Sequence, residues 1–334
     1  MPRVRFDPYI LVLIATIAFA AVLPVSGAAA QAFGYLVSAA IGLLFFLYGA
    51  RLSPKAVLDG LSHWRLQGTV FLSTYALFPL LGCAVAALSA PVLPPDLRTG
   101  LLYLSLLPST VQSSIAFTSI ARGNVAAALT SASLSNLLGV VVTPLLVALL
   151  LTGATGGFDA RAVLDIAAQI LLPFLAGQLF RPLIGSWLAG RKRLTSFVDR
   201  GAIVLTVYAA FSEGVVEGIW SRVAPLDLVW VFGFCVVLLA AVMGVVSVSA
   251  RVLGFSRPDR IAILFCGSKK SLATGIPMAG ILFSGPSMAL IVLPLMLFHQ
   301  IQLFACALLA QAYAAAEARE ETVAQTTPAP ARSA

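Results

Sequence analysis

Hydrophobic runs of membrane-crossing length follow one another along this chain, separated by short polar stretches, and they predict ten helical spans. Their approximate bounds are 10–25, 32–50, 66–89, 99–121, 124–151, 162–180, 198–216, 226–249, 259–284 and 286–313. A helix rises about 1.5 Å per residue and a bilayer core is about 30 Å thick, so most of these lengths suffice to cross it. The first run is short, and its start can reach back toward Phe6. It follows Arg3 and Arg5 and precedes an alanine stretch at 28–30, as a cleaved leader would. Nine further apolar runs follow, which favours a first spanning helix instead.

Composition points the same way. The 334 residues are 60% apolar and only 10% charged, against about 25% charged in a soluble domain. A soluble shape of this size cannot hide that much apolar surface from water. Cys83, Cys235, Cys266 and Cys306 all fall inside apolar runs. They lack zinc-ligand spacing and a secreted disulfide framework, so packing accounts for them. The net charge of +8 sits in short loops with no aromatic-interleaved basic stripe, so no nucleic-acid partner is expected.

Loop charge sets the orientation. With a cytoplasmic N-terminus, that side receives sixteen basic residues, among them Arg51, Lys55, Arg65, Arg122, Arg191, Lys192, Arg193, Arg251, Arg257 and Arg260. The other side receives three, Arg98, Arg161 and Arg222. This positive-inside bias places both termini in the cytoplasm. Glu213 and Glu217 fall near the outer end of the seventh span.

Two halves of five spans each are expected, over 1–155 and 156–313, with a disordered cytoplasmic tail over 314–334. The stretch Leu-Pro-Ser-Thr-Val-Gln-Ser-Ser at 107–114 interrupts the fourth span, and Cys-Gly-Ser-Lys-Lys-Ser at 266–271 interrupts the ninth. Each is followed by a long span carrying a proline, Pro144 or Pro294. Five is odd, so the second half would insert upside down relative to the first, as in many secondary transporters. Proline and glycine leave backbone groups unpaired, and lipid cannot satisfy them. Such groups must face protein or a water-filled cavity. The plainer reading is a proline kink satisfied by a neighbouring hydroxyl.

Lys269 and Lys270 carry the sharpest signal, because both lie deep within the ninth span. A lysine near the bilayer centre costs about 2.5–3.5 kcal/mol on insertion scales. Either at least one lines a path as counter-charge to an anion or in place of a cation, or a break lets one reach a surface. Cys266, Ser268 and Ser271 flank the pair. In the fifth span, Ser131–Ser135 and Ala132–Asn136 are each four apart and stack on a common helix face; Ser131, Ser135 and Asn136 suit a sodium ion or serve as interhelical glue. Thr110, Gln112, Ser113, Ser114 and Thr118 form the matching polar stretch of the fourth span. His299, Gln300 and Gln302 lie in the tenth, where a histidine either packs or joins the path. Motifs for nucleotide binding, zinc hydrolysis and serine hydrolysis are absent from the sequence, so an enzyme is not expected. No cofactor and no ATPase subunit are indicated, while monomer and homodimer both stay open.

At these residues the chain resembles the bile acid:sodium symporter superfamily, also called solute carrier family ten, in its member-seven-like bacterial branch. The matching blocks are residues 107–114, Phe117-Thr118, Gly123-Asn124, Leu134 through Gly139, Thr143-Pro144, Cys266 through Leu272 and Gly275-Ile276-Pro277. The resemblance implies a multi-pass protein of the bacterial inner membrane, with ten helices in two inverted five-helix repeats. Spans 1, 2, 6 and 7 would form a panel. Spans 3, 4, 5, 8, 9 and 10 would form a core in which the fourth and ninth cross. It also implies sodium-dependent symport, with sodium ligands carried over to Ser113, Ser114, Ser131, Ser135 and Asn136. The ninth span departs from that pattern. Sodium-binding members carry an acidic residue and then a glutamine–asparagine pair, where this chain has Phe265, Lys269 and Lys270. A small or amphipathic organic anion is the expected substrate, moved by alternating access with sodium, with a proton, or uncoupled. A regulatory or scaffolding membrane protein is the competing expectation.

Overall fold

The computed structural model describes residues 8–51, 63–151, 160–218, 221, 223–283 and 285–326. The described residues fold into helices, which we number in chain order. They are α1 (Pro8–Val22), α2 (Gly27–Arg51), α3 (Trp64–Leu72), α4 (Phe78–Leu88), α5 (Pro95–Ser105), α6 (Gln112–Ile120) and α7 (Val125–Leu150), followed by α8 (Ala160–Ala189), α9 (Lys192–Val216), α10 (Pro225–Val252), α11 (Arg257–Gly267), α12 (Leu272–Leu282) and α13 (Met288–Thr326). A π-helical turn, Ser73–Leu77, joins α3 to α4 without a break.

Among the described residues, seven helical stretches are long and apolar enough to cross a membrane, and Leu11–Val22 is a shorter apolar helix. Their outer faces carry exposed leucines and valines, including Leu80 at 70%, Leu179 at 77% and Leu183 at 75%. Surface of that kind is stable only in lipid or under another apolar body. The protein is therefore a multi-pass helical membrane protein.

Both predicted interruptions are present. The first parts α5 from α6 at residues 106–111, and the second parts α11 from α12 at residues 268–271. Leu107 precedes Pro108, which disfavours helical backbone geometry there, and Pro108 itself offers no amide hydrogen. The chain restarts after the second break with Ser271 as a cap, its hydroxyl accepting from the Thr274 amide at 3.2 Å.

Among the outer helices, α2 packs along α8, and α9 packs on both α1 and α2. The α2–α8 approach is close enough that a Cβ on Gly49 would overlap the Phe174 carbonyl, and one on Gly177 would overlap that of Phe46. The two glycines are reciprocal, each seated on the other helix's backbone, as small residues allow in membranes.

Several boundaries differ from the sequence reading; α2 begins at Gly27 rather than 32, and α9 at Lys192 rather than 198. The sixth span is longer than 162–180, because α8 runs through Pro173 and Pro182 to Ala189. Helix also continues past residue 314, where the tail is expected to begin, as far as Thr326. The Ala-rich segment has strong helical propensity. Arg257 holds it by donating to the Tyr313 carbonyl at 3.3 Å and pairing with Glu317 at 3.9 Å. The predicted charges at Arg3, Arg5, Lys55 and Arg222 lie outside the described residues.

Candidate functional site

The two interruptions lie against each other. The Ser271 amide donates to the Pro108 carbonyl at 2.8 Å, joining the broken segments directly. Other backbone groups at or near the breaks are taken up as well. Thr143 on α7 donates to Leu106 O at 2.9 Å, and Asn136 Nδ2 donates to Ser109 O at 2.6 Å. The Ser135 hydroxyl accepts from the Ser109 amide at 3.0 Å, and Tyr103 donates to Gly275 O at 2.7 Å. Backbone chemistry that lipid could not satisfy is thus satisfied by α7, α5 and the opposing break.

Lys269 and Lys270 both sit here with 0% exposure. The backbone between Gly267 and Leu272 is not helical, so the two side chains depart in unrelated directions. Lys270 is bound at both ends. Its ammonium donates to Leu107 O at 2.6 Å and Thr74 O at 2.8 Å, and lies 4.2 Å from the centre of the Phe78 ring. Its backbone is clasped by the Gln302 amide, which accepts from Lys270 N and donates to Lys270 O, each at 2.8 Å. Gln302 also meets His299 Nδ1 at 2.9 Å.

The partner at Thr74 depends on the π-helical turn. A π turn shifts the backbone bonding register and can leave a carbonyl available, and Thr74 lies within that turn. Sequence reasoning missed this contribution from the third span. The only local sign of it was the polar triplet Ser73-Thr74-Tyr75 inside an apolar run.

Lys269 has a looser setting. Its ammonium donates to the Ser113 hydroxyl at 3.0 Å and faces the Phe117 and Phe265 rings at 4.6 and 6.0 Å. An ammonium over an aromatic face gains about 0.5–2 kcal/mol. Ser113 in turn donates to Thr110 at 3.1 Å. Among the described residues, neither ammonium is paired with a carboxylate.

The remaining sequence candidates separate. Ser114 donates to Phe265 O at 3.0 Å, and Asn136 Oδ1 accepts from Thr274 at 2.8 Å, so both belong to the crossing. Ser271 meets Thr274 at 3.0 Å. Cys266 reaches the Ala128 carbonyl and Ser268 folds back onto Leu264 O, both as packing contacts. Gln112 is exposed at the start of α6. Ser131 and Thr118 are buried, and their hydroxyls lack a hydrogen-bond partner among the described residues. Of the five residues the resemblance offers as sodium ligands, only Ser131 keeps its side-chain oxygen unengaged. The site is therefore a meeting of neutral oxygens around two buried lysine side chains.

Comparison with known proteins identifies transporter relatives. The model of the SBF-like CPA transporter family matches residues 7–315. An uncharacterized protein of Pseudomonas aeruginosa is 51% identical, over 99% of this chain and 100% of its own length. "Putative symporter YfeH" of Escherichia coli is 49% identical, over 92% of each chain. "Sodium/bile acid cotransporter 7" of Xenopus tropicalis is 28% identical, over 79% of this chain and 78% of its own. With the family match running from the first helix into the last, this chain belongs to the SBF-like CPA transporter family.

Proposed function

We propose that this protein is a symporter-like secondary active transporter that moves a small or amphipathic organic anion by alternating access. The observation that carries the reading is the crossing itself. Two broken helices meet there, and the fully buried Lys269 presents an ammonium whose hydrogen-bonding partner is a single hydroxyl. An ammonium so lightly engaged is a natural counter-charge for an anion. The names borne by relatives, a symporter in one case and a sodium/bile acid cotransporter in another, support the class of transport and of substrate.

An inverted repeat of ten crossings underlies the proposal, with the fourth and ninth split. Support comes from a repeated tie. Asn124 Nδ2, before α7, donates to Asp259 near the start of α11 at 2.8 Å. Ser287, before α13, donates to Asp96 near the start of α5 at 2.9 Å. Asp259 follows Asp96 by 163 residues, as Ser287 follows Asn124 and as Lys270 follows its own acceptor, Leu107. One offset relating both ends and the centre of the crossing supports two superposable halves. Spans 1, 2, 6 and 7 would then move as a panel, built on the mutual packing of α1, α2, α8 and α9. The loop charges support cytoplasmic termini, and the family resemblance supports an inner-membrane location.

One observation favours a second reading of the coupling. Sodium at Ser113, Ser114, Ser131, Ser135 and Asn136 would have to share oxygens already hydrogen-bonded at four of them, and the Lys269 amine already engages Ser113. A resident ammonium in that position makes transport proton-linked or uncoupled. Flux into liposomes, with sodium and pH gradients imposed separately and a panel of labelled anions, tests both readings. Anion uptake abolished by Lys269→Gln supports the transporter. Sodium-driven uptake unchanged by that substitution refutes the role given to Lys269, and absence of flux for every anion refutes the transport reading.

A further inference from the structure

Away from the crossing, α10, α11 and α13 enclose a cavity of about 460 Å³ lined by Ser247, Arg251, Arg257, Arg260, Leu264 and Tyr313, among others. Three arginines line it, one from the end of α10 and two from the beginning of α11. Arg257 pairs with Glu317 at 3.9 Å. The lining thus brings three arginines to one space, and Arg251 and Arg260 have no carboxylate partner among the described residues. Like charges held around a common space raise each other's energy, and an oxyanion between them relieves it. The planar guanidinium fork matches phosphate oxygens two at a time.

We infer that this cavity is a binding site for a phosphate-bearing anion, separate from the crossing and independent of the transport reading. The flank of the cavity indicates a lipid headgroup as the source. Val248 and Val252 lie on α10 next to Ser247 and Arg251, with 59% and 79% of their surfaces exposed. An apolar strip beside a basic cavity accommodates acyl chains and a headgroup together, and basic pockets between membrane helices recognise anionic lipid in this way. Loop charges assign this end of α10 to the cytoplasmic side, where an anionic leaflet would supply the ligand.

The test uses the purified full-length chain with two probes, pyrophosphate in solution and phosphatidylglycerol in phosphatidylcholine nanodiscs. Native mass spectrometry reads retained lipid, and thermal unfolding reads the shift each probe produces. The wild type should retain phosphatidylglycerol, and pyrophosphate should compete for the site. Apparent affinity should fall roughly tenfold or more in Arg251→Gln/Arg260→Gln, as expected when charge-assisted bonds are lost. Ser247→Phe, which fills the cavity without altering charge, should weaken binding likewise, whereas Arg193→Gln on an exposed basic stretch should leave it unchanged. Pyrophosphate binding without lipid retention keeps the phosphate site and rejects the lipid as its source. Equal binding by the wild type and both cavity variants, or an equal loss in Arg193→Gln, overturns the site altogether.

Discussion

Replacing Lys270 with glutamine separates the two buried lysines by stability. The wild-type ammonium reaches two carbonyls, Leu107 O at 2.6 Å and Thr74 O at 2.8 Å, from different spans. A glutamine amide is shorter and cannot span both, so at least one buried carbonyl loses its donor. Leaving such a group unsatisfied costs about 1–3 kcal/mol. The second lost charge-assisted bond adds to that cost, while removal of a buried charge offsets part of it. The net expectation is a loss of about 1–3 kcal/mol. At about 2–4 °C per kcal/mol for larger domains, the unfolding temperature in detergent should drop by roughly 2–12 °C. Lys269→Gln surrenders one bond to a hydroxyl that keeps Thr110 as a neighbour, together with a ring contact. It should shift unfolding by less than about 2 °C while abolishing anion uptake. Fluorescence-detected size-exclusion after graded heating measures both variants beside the wild type. If Lys270→Gln melts with the wild type, or if Lys269→Gln is the less stable variant, the division between a structural and a working lysine is wrong.

Other expectations follow from the same contacts. Asn136→Ala removes a donor to Ser109 O and an acceptor for Thr274, and should lower stability by about 1–3 kcal/mol in the same assay. Gly49→Ala and Gly177→Ala each place a methyl group on the opposing backbone; either should reduce the folded yield in membranes severalfold, and normal yield in both would show that α2 and α8 are not packed so closely. Cysteine tags at Arg51 and within 190–193 should be labelled only from the cytoplasmic side, and a tag at Asp159 only from outside. One reversal among these breaks the ten-crossing topology.

What was legible in the sequence rests on local physics. Apolar runs long enough to span hydrocarbon announce themselves through composition, and Pro108 and Gly267 within polar runs mark where helical bonding must stop. Those features need no knowledge of neighbours, because lipid imposes the same demand on every exposed residue and backbone group. The sequence alone therefore determined a polytopic helical protein, two interrupted spans and two lysines buried against ordinary cost. Tertiary structure decided how that cost is met. Adjacent residues on a non-helical break share no face, so only the folded arrangement sends Lys270 to the carbonyls of Thr74 and Leu107 and Lys269 to Ser113. The π-helical turn that contributes Thr74, and the cavity whose arginines lie on α10 and α11, have the same origin. Each is a meeting of groups from separate helices, and it exists only once packing has fixed the distances across which a side chain can reach.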